Sequence, residues 1–189
     1  MNFELNRTKQ SWLVVGIVLL ALVLDQWSKI YIKTHFELGE AREVFSWFWI
    51  VFVENNGMAF GIEWFSKLLL TLFRIVAVGV IGWYIHTLIH KQTVRTGYLA
   101  TVAMVIAGAL GNIIDCVCYG KIWGYADWFH GKVVDMLYFP LIRNAAGEVL
   151  FFRPVFNIAD SFITVAVLLI IIFYRKDLDA SLAGVGKRK

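Results

Sequence analysis

The sequence predicts an α-helical integral membrane protein with four transmembrane helices, a small β-sheet, and a loop or short helix outside the membrane. Of the 189 residues, 59% are hydrophobic and the mean hydropathy is +0.67, whereas a soluble domain is only about half apolar. The apolar residues also fall in blocks of about 20, the length that spans a hydrocarbon core. Composition and block length therefore predict the same class of protein.

Four stretches have the length and composition of a membrane span, and we expect them to form one domain over residues 1–189. They lie at about residues 12–32, 67–89, 98–117 and 158–174. The first begins after basic residues, as a signal peptide does. However, Asp25-Gln26-Trp27-Ser28-Lys29 follows its apolar run in place of a small-residue cleavage site. We therefore expect a retained helix.

The basic residues predict the orientation of the chain in the membrane. The net charge is +4, and nine lysines and arginines lie in three short segments: before the first span, between the second and third, and after the fourth. The long loops, near residues 33–66 and 118–157, carry fewer for their length. Because positive charge marks the cytoplasmic side, we expect both termini in the cytoplasm and both long loops outside. The sequence shows no basic cluster of the kind that binds nucleic acid.

Both long loops contain strand-like segments. Phe48–Val53 is rich in aromatic and β-branched residues, which favours short strands. In the second loop, residues 138–142 and 149–152 flank the turn-prone segment Arg143–Glu148, which predicts a hairpin. The tryptophans beside these segments suit a membrane–water interface. We therefore expect a small aromatic sheet next to the outer ends of the helices.

The most informative residues are carboxylates within or beside the spans. Asp25, Asp115 and Asp160 lie inside or at the ends of apolar stretches, and Asp135 lies just outside one. A charged side chain at the centre of a membrane helix costs about 2.5 kcal/mol or more. A chain tolerates this cost where the group faces a partner, a cavity or a reaction. The sequence therefore predicts a polar site embedded in the membrane near its outer side.

The polar residues of the first span and first loop have two interpretations each. Asp25 and Lys29 are four residues apart and can pair on one helix face, either as a structural ion pair or with a direct role. Asn55 and Gly57 belong to a turn-prone segment. This segment either returns the chain tightly into the second span or directs an amide toward a bound peptide.

The small and polar residues of the third and fourth spans also have two interpretations, structural and functional. Gly108 belongs to a small-residue face that permits close helix packing, while Asn112 and Asp115 share an inner face one turn apart. Packing explains the glycine well and the two polar groups less well. Asn157 and Asp160 open the fourth span, where amide and carboxyl groups are favoured as helix caps. Capping is therefore the simplest explanation of Asp160 taken alone.

Asp135 and Asp160 are more informative as a pair, because both should emerge on the outer face of the membrane. Two carboxyl groups held close together cannot both ionise easily, so they share a proton. One can then act as a base toward water while the other donates a proton. This chemistry suits peptide hydrolysis and needs no metal or other cofactor. Cys116 and Cys118 are too few to form a metal site with the scattered histidines, and we expect them to be ordinary small apolar residues.

Two other classes of function stay open from these residues. A proton-coupled transporter also uses intramembrane acids and lysines, although the acids here cluster toward the outside. A non-catalytic membrane scaffold would use the same polar groups to hold helices together. A silent Asp135→Asn substitution would point to the scaffold, and an aqueous path to both sides would point to the transporter.

Five short motifs occur along the four spans and their loops. They are Asp25-Gln26-x-Ser28-Lys29, Asn55-x-Gly57-x-Ala59-Phe60-Gly61, Gly108-x-x-Gly111-Asn112-x-x-Asp115, Val133-Val134-Asp135-Met136 and Phe156-Asn157-x-Ala159-Asp160. In this order they resemble lipoprotein signal peptidase, also called signal peptidase II. The resemblance covers nearly the whole chain apart from the two tails.

The resemblance implies an intramembrane aspartyl endopeptidase of the bacterial inner membrane, with its active site on the periplasmic side. This family removes the signal peptide from diacylglyceryl-modified prolipoproteins just before the lipidated cysteine, and globomycin inhibits it. The expected partners are therefore prolipoproteins and membrane lipid, with no cofactor and no nucleic acid. By motif, the catalytic pair is Asp135 and Asp160. The supporting residues are Asp25, Lys29, Asn55, Gly57, Gly108, Asn112, Asp115 and Asn157.

The chain departs from the family pattern in three places. Cys116 stands where the family usually has arginine, Ala107 replaces the first glycine of a usual pair, and the aromatic segment 119–132 is longer than usual. Arg74 in the second span either supplies a replacement cation beside Asp115 or extends to the interface. The segment 119–132 is either a flap over the site or an interfacial anchor.

Overall fold

The computed structural model describes residues 6–56, 67–91, 94–143, 149–151 and 154–186. The helices are α1 (Arg7–His35), α2 (Lys67–Lys91), α3 (Thr96–Ile114), α4 (Gly120–Ile122), α5 (Ile158–Phe173) and α6 (Arg175–Gly186). The strands are β1 (Ala41–Phe45), β2 (Phe48–Asn55), β3 (Val133–Tyr138), β4 (Ile142–Arg143), β5 (Val149–Phe151) and β6 (Val155–Phe156). A π-helical turn, Asp115–Tyr119, joins α3 to α4.

The helices have the lengths that membrane spans require. Helix α1, helix α2 and the stretch Thr96–Ile122 are each long and apolar enough to cross a membrane. Helix α5 has 16 residues and meets α6 at a bend of 87°, so these two make a fourth candidate if they count as one span. The described part of the chain is thus mostly helical, with three to four candidate spans and a small antiparallel sheet. The predicted fold class is confirmed.

Large apolar side chains stay exposed along the spanning helices. Phe73 on α2 is 69% exposed, and Leu20 on α1 and Ile172 on α5 are also exposed. Leaving such surface in water would forfeit the free energy of its burial. Lipid tails, by contrast, are as apolar as these side chains. These surfaces of the helices therefore face lipid.

The third helical stretch runs further than the sequence predicts. The sequence predicts a span that ends near residue 117, but the helix continues through the π turn and α4 to Ile122. No proline interrupts it, and Gly124, just after its last residue Ile122 and the capping Trp123, has a left-handed φ of 71°. Glycine in this conformation is common just after a helix. The start of the predicted outside loop is therefore helical.

The chain forms two compact units, each composed of several stretches of sequence. The first contains the described residues of 1–23, 73–111 and 159–189, and the second contains those of 24–72 and 112–158. Neither unit is continuous in sequence. The single-domain organisation stays a prediction.

The first unit is helical and has an apolar core. Its buried residues come mainly from α2 and α3, and they are Ile85, Leu88, Ile89, Val94, Tyr98, Leu99 and Val102. Helix α6 packs Leu178 against this core. Arg95 pairs with Asp177 of α6 and donates to the Phe173 carbonyl oxygen at 2.9 Å. These contacts stabilise the bend between α5 and α6.

The second unit contains a four-stranded antiparallel sheet with the strand order β1-β2-β3-β6. The predicted strand at Phe48–Val53 is confirmed as part of β2. One face of the sheet packs on a core formed by Ile32, Phe52, Tyr119, Val134 and Met136. Strands β4 and β5 pair antiparallel as a hairpin at the predicted turn, but the predicted first strand, residues 138–142, is wrong. Tyr138 ends β3, and β4 contains only Ile142 and Arg143, because Pro140 has no N–H to donate within a strand. Residues 144–148 between β4 and β5 lie outside the described residues.

Candidate active site

A buried ion triad joins α1 to the π-helical turn. Lys29 Nζ lies 2.9 Å from Asp25 Oδ2 and 2.8 Å from Asp115 Oδ2. Asp25 and Lys29 are one turn apart on α1, as expected for residues i and i+4, while the π turn supplies Asp115. All three side chains are buried. One ammonium group therefore compensates two carboxylates away from water.

Gln26 donates hydrogen bonds to both of these carboxylates. Its Nε2 donates to Asp25 Oδ2 at 3.0 Å and to Asp115 Oδ1 at 2.9 Å. Its Oε1 accepts a hydrogen bond from the Tyr119 hydroxyl at 3.1 Å. Neither Gln26 nor Tyr119 is among the site residues predicted from the sequence. The position of Gln26 between Asp25 and Lys29 in the first motif is the signal that could have identified it.

A chain of amide groups connects Lys29 to Asp135. Lys29 Nζ donates to Asn112 Oδ1 at 3.1 Å. Asn157 Nδ2 donates to that same oxygen at 3.1 Å and to Asp135 Oδ1 at 2.7 Å. Because an ammonium group can only donate, Asn112 must present its oxygen and Asn157 must present its NH₂ group. The buried cation therefore sets the orientation of the amide that holds Asp135.

The sheet brings a second amide to Asp135. Asn55, at the end of β2, donates from Nδ2 to Asp135 Oδ2 at 3.1 Å. The Val134 backbone N–H donates to Asp115 Oδ2 at 3.3 Å, which ties β3 to the ion triad. Asp135 is only 2% exposed, and each of its oxygens accepts from an amide. One hydrogen-bonded network thus contains Asp25, Lys29, Asn55, Asn112, Asp115, Asp135 and Asn157.

The other three predicted site residues differ in what the structure says of them. Asp160 lies in the first turn of α5, and its pairing with Asp135 stays a prediction. At Gly108, a Cβ would lie 2.3 Å from the Ala159 carbonyl oxygen. Gly108 therefore permits the close packing of α3 on the turn that carries Asp160. Gly57 lies outside the described residues.

Asp115 has a cationic partner even though Cys116 replaces the usual family arginine. That partner is Lys29, at 2.8 Å. That Arg74 adds a second cation near Asp115 stays a prediction. Cys116 is buried and Cys118 is half-buried, and neither forms a disulfide. Within the part of the chain that the structure describes, no three His, Cys, Asp or Glu side chains are grouped to hold a metal ion.

The segment between α4 and β3 binds closely to the π turn. Gly131 N–H donates to the Cys116 carbonyl oxygen at 2.9 Å, and Phe129 N–H donates to that of Val117 at 3.0 Å. Phe129 has a φ of 66°, which is rare for a bulky residue. This strained conformation persists because the surrounding contacts enforce it. That the segment moves as a flap stays a prediction.

Gly131→Ala should destabilise the protein by about 2 kcal/mol or more, because the new methyl group has no space. A Cβ at Gly131 would lie 1.9 Å from the Asp115 carbonyl oxygen and 3.0 Å from the Gly120 nitrogen. Both are backbone atoms, one in the π turn and one at the start of α4. Thermal unfolding in detergent measures the loss. Gly79→Ala is the control, because no atom lies within 4 Å of a Cβ there. Equal unfolding temperatures for the two variants would contradict this close approach.

The fold and this network define a class of protein, a membrane-spanning protein with buried carboxylates and amides joined in one network. The family model for Signal peptidase (SPase) II matches residues 17–175. The chain belongs to the signal peptidase II family and is an aspartic peptidase. The transporter and scaffold interpretations are therefore set aside.

Similar proteins support the same assignment along nearly the whole chain. A lipoprotein signal peptidase of Porphyromonas gingivalis is 42% identical over 204 residues, which cover 95% of this chain and 90% of that protein. One from Amoebophilus asiaticus is 35% identical, with 90% and 81% covered. A solved bacterial membrane enzyme, determined by the in meso method at 2.3 Å resolution, is 29% identical with a TM-score of 0.64. That likeness covers 93% of this chain and 92% of the solved one.

Proposed function

We propose that this chain removes the signal peptide from diacylglyceryl-modified prolipoproteins by cutting just before the lipidated cysteine. Membership of the signal peptidase II family supports this, as do the relatives named lipoprotein signal peptidases. The lipid-facing helices also suit such a substrate, because a signal helix and acyl chains both reside in the bilayer. Globomycin-type inhibitors are expected to bind the same site.

The observation that carries this proposal is the environment of Asp135. Its two oxygens accept hydrogen bonds from the neutral amides of Asn157 and Asn55. Neutral donors orient a carboxyl group without cancelling its charge, so it stays available to take a proton. The buried ammonium of Lys29 instead pairs with Asp25 and Asp115. We therefore assign chemistry to Asp135 and a supporting role to the ion triad.

Asp160 is the second carboxyl group of the proposed mechanism. One member of the pair takes a proton from water as the water oxygen attacks the scissile carbonyl carbon. The other member protonates the carbonyl oxygen, and a proton then passes to the leaving nitrogen as the C–N bond breaks. Because two coupled carboxyl groups titrate together, we assign these roles to the pair. The amides of Asn55, Asn112 and Asn157 hold the site in shape.

We place the active site on the periplasmic side of the bacterial inner membrane, with both termini in the cytoplasm. The distribution of basic residues supports this orientation. Arg7 and Lys9 lie at the start of α1, Arg95 lies between α2 and α3, and Arg175 and Lys176 begin α6. Each of these positions lies at a helix end that the proposed orientation directs to the cytoplasm.

Cleavage of a lipidated peptide by the purified protein tests this function. We expect a diacylglyceryl-modified lipobox peptide to be cut directly before its modified cysteine. The unmodified peptide of the same sequence should react at least about 10²-fold more slowly, because the acyl chains supply binding energy away from the reacting bond. Mass spectrometry of the products measures the position of the cut, and globomycin serves as the inhibitor control.

Two results would contradict the proposed function. Folded protein that leaves the lipidated peptide intact would exclude this substrate class. Equal rates on the lipidated and unmodified peptides would exclude the lipid requirement.

A further inference from the structure

A second charged cluster lies beside the strand pair that carries Asn55 and Asp135. We define the Glu54 cluster as Lys33 of α1, Glu54 of β2 and Lys132, the residue before β3. Lys33 Nζ donates to Glu54 Oε1, and Lys132 Nζ donates to Glu54 Oε2 at 3.1 Å. One carboxylate therefore joins three separate stretches of chain.

Two of the three side chains of the Glu54 cluster are largely shielded from solvent. The side chains of Lys33 and Glu54 are each 11% exposed, and that of Lys132 is 38% exposed. Burial disfavours the charged form of Glu54, but the hydrogen bonds from the two lysines outweigh it and hold the pKa of Glu54 below its usual value. Glu54 therefore stays ionised at neutral pH. Exposed ion pairs contribute little to stability, whereas removing one partner from a shielded set leaves an uncompensated charge.

Aromatic rings hold the lysines of this cluster in place. Lys33 Nζ lies 5.1 Å from the ring centre of Tyr125, 5.4 Å from that of Trp123 and 5.5 Å from that of Phe52. Rings at such distances attract a cation. The Tyr125 hydroxyl also accepts a hydrogen bond from the Lys132 backbone N–H at 2.7 Å. The rings therefore hold Lys33 and the start of β3 together.

The strand register connects this cluster to Asp135. Glu54 lies opposite Val134, and Asn55 lies opposite Val133. Because side chains alternate between the two faces of a strand, Glu54 points to the opposite face from Asn55. A slip of one residue would exchange the faces and remove the Asn55 amide from Asp135. The β2–β3 register also shifts further along the two strands. Pairing beyond that point therefore does not fix the register at Glu54 and Asn55, and this end of the strands needs stabilising contacts of its own.

We propose that Glu54 is a positioning residue for the peptidase reaction, and that with Lys33 and Lys132 it holds the register that sets Asn55 against Asp135. This rests on the proposed role of Asp135. Glu54 acts from the opposite face of the strand through the backbone. Loss of its charge lets the strand ends shift, and a displacement of about 1 Å in a catalytic site can cost about 10²-fold in rate.

Glu54→Gln tests this role, with Glu40→Gln as the matched control. Glu40 also pairs with a cation, Arg42, but these side chains are 31% and 53% exposed. We expect Glu54→Gln to lower kcat on the lipidated peptide about tenfold or more, with KM within about twofold of wild type. The acidic limb of the pH–rate profile should move to higher pH, because the carboxylate of Asp135 loses part of a stabilising hydrogen bond. Glu40→Gln should keep the wild-type kcat and pH profile.

The outcomes separate positioning from a purely structural role. Folded Glu54→Gln with wild-type kcat and pH profile would overturn the proposal, as would a rise in KM alone. If Glu54→Gln does not accumulate, Lys132→Arg and Lys132→Met decide: arginine keeps the ion pair and should keep kcat, whereas methionine should lower it. Equal kcat for these two variants would also overturn the proposal. A failure of the proposed function is distinct, because the wild-type protein would then leave the lipidated peptide uncut.

Discussion

Asparagine at either member of the proposed pair, Asp135→Asn or Asp160→Asn, is expected to slow cleavage of the lipidated peptide by about 10³-fold or more. An amide can neither take a proton from water nor pass one to the leaving nitrogen. Asparagine matches aspartate in size, so the loss should come from chemistry. At position 135 the new NH₂ group would face the NH₂ group of Asn55 or Asn157, which now donates to Asp135. A local flip of one amide group removes this contact between two donors. Single-turnover rates measure the effect, with tryptophan fluorescence as the check on folding.

Asp127→Asn is the matched control for this pair of substitutions. The Asp127 side chain is 85% exposed and its contact with Lys121 is 3.5 Å long, so we expect wild-type rates. The double variant at 135 and 160 should be little slower than either single variant, because residues that act as one unit have non-additive effects. Full activity of either single variant would contradict the pair. Losses that multiply in the double variant would instead indicate independent roles.

Lys29→Met is expected to lower the free energy of unfolding by about 3–5 kcal/mol. Methionine has a similar apolar stem, but it removes the ammonium group that lies within 2.9 Å of Asp25 and 2.8 Å of Asp115. Both carboxylates are buried, so they cannot recover hydration, and a buried charge without a partner is costly. Asn112 also loses its donor. Thermal unfolding in detergent should show a Tm lower by about 10 °C.

Two further variants test whether Lys29→Met loses stability because it leaves buried charge without a partner. Lys121→Met removes a lysine from an exposed ion pair and should change stability by less than about 0.5 kcal/mol. Adding Asp115→Asn to Lys29→Met should restore part of the lost stability, because a neutral amide needs no cation. A Lys29→Met variant that unfolds at the wild-type temperature would show that the triad does not stabilise the fold.

The sequence was sufficient where the physical constraint is local. A span needs about 20 consecutive apolar residues, so the membrane class follows from composition, and α1 and α2 cover the predicted spans 12–32 and 67–89. The strand at Phe48–Val53 also follows from local residue preference. The end of the third span does not follow from local residue preference. It depends on the π turn, whose backbone carbonyls accept hydrogen bonds from Phe129 and Gly131 later in the chain.

The residue types of the site were predictable for a similar reason. An aspartate or asparagine in an apolar stretch is expensive wherever it lies, so each one signals a polar site by itself. Asp25, Asn112 and Asp115 were identified in this way, and all three are buried. Asn157 is also buried, but only the family resemblance assigned it to the site, because an amide at that position also suits a helix cap. Glu54 gave no such signal, because the sequence places it in a segment outside the membrane, where a charge is ordinary.

The partner of each polar group was decided only by the tertiary structure. Lys29 reaches Asn112, which is 83 residues away along the chain, and it serves Asp115 as well as Asp25. Spacing along a chain predicts neighbours within one helix or strand, but not contacts between distant segments. The sequence by itself therefore determined that buried carboxylates and amides form a membrane site. Folding decided that the cation faces Asp25 and Asp115 while neutral amides face Asp135, because only packing brings distant side chains within hydrogen-bond distance.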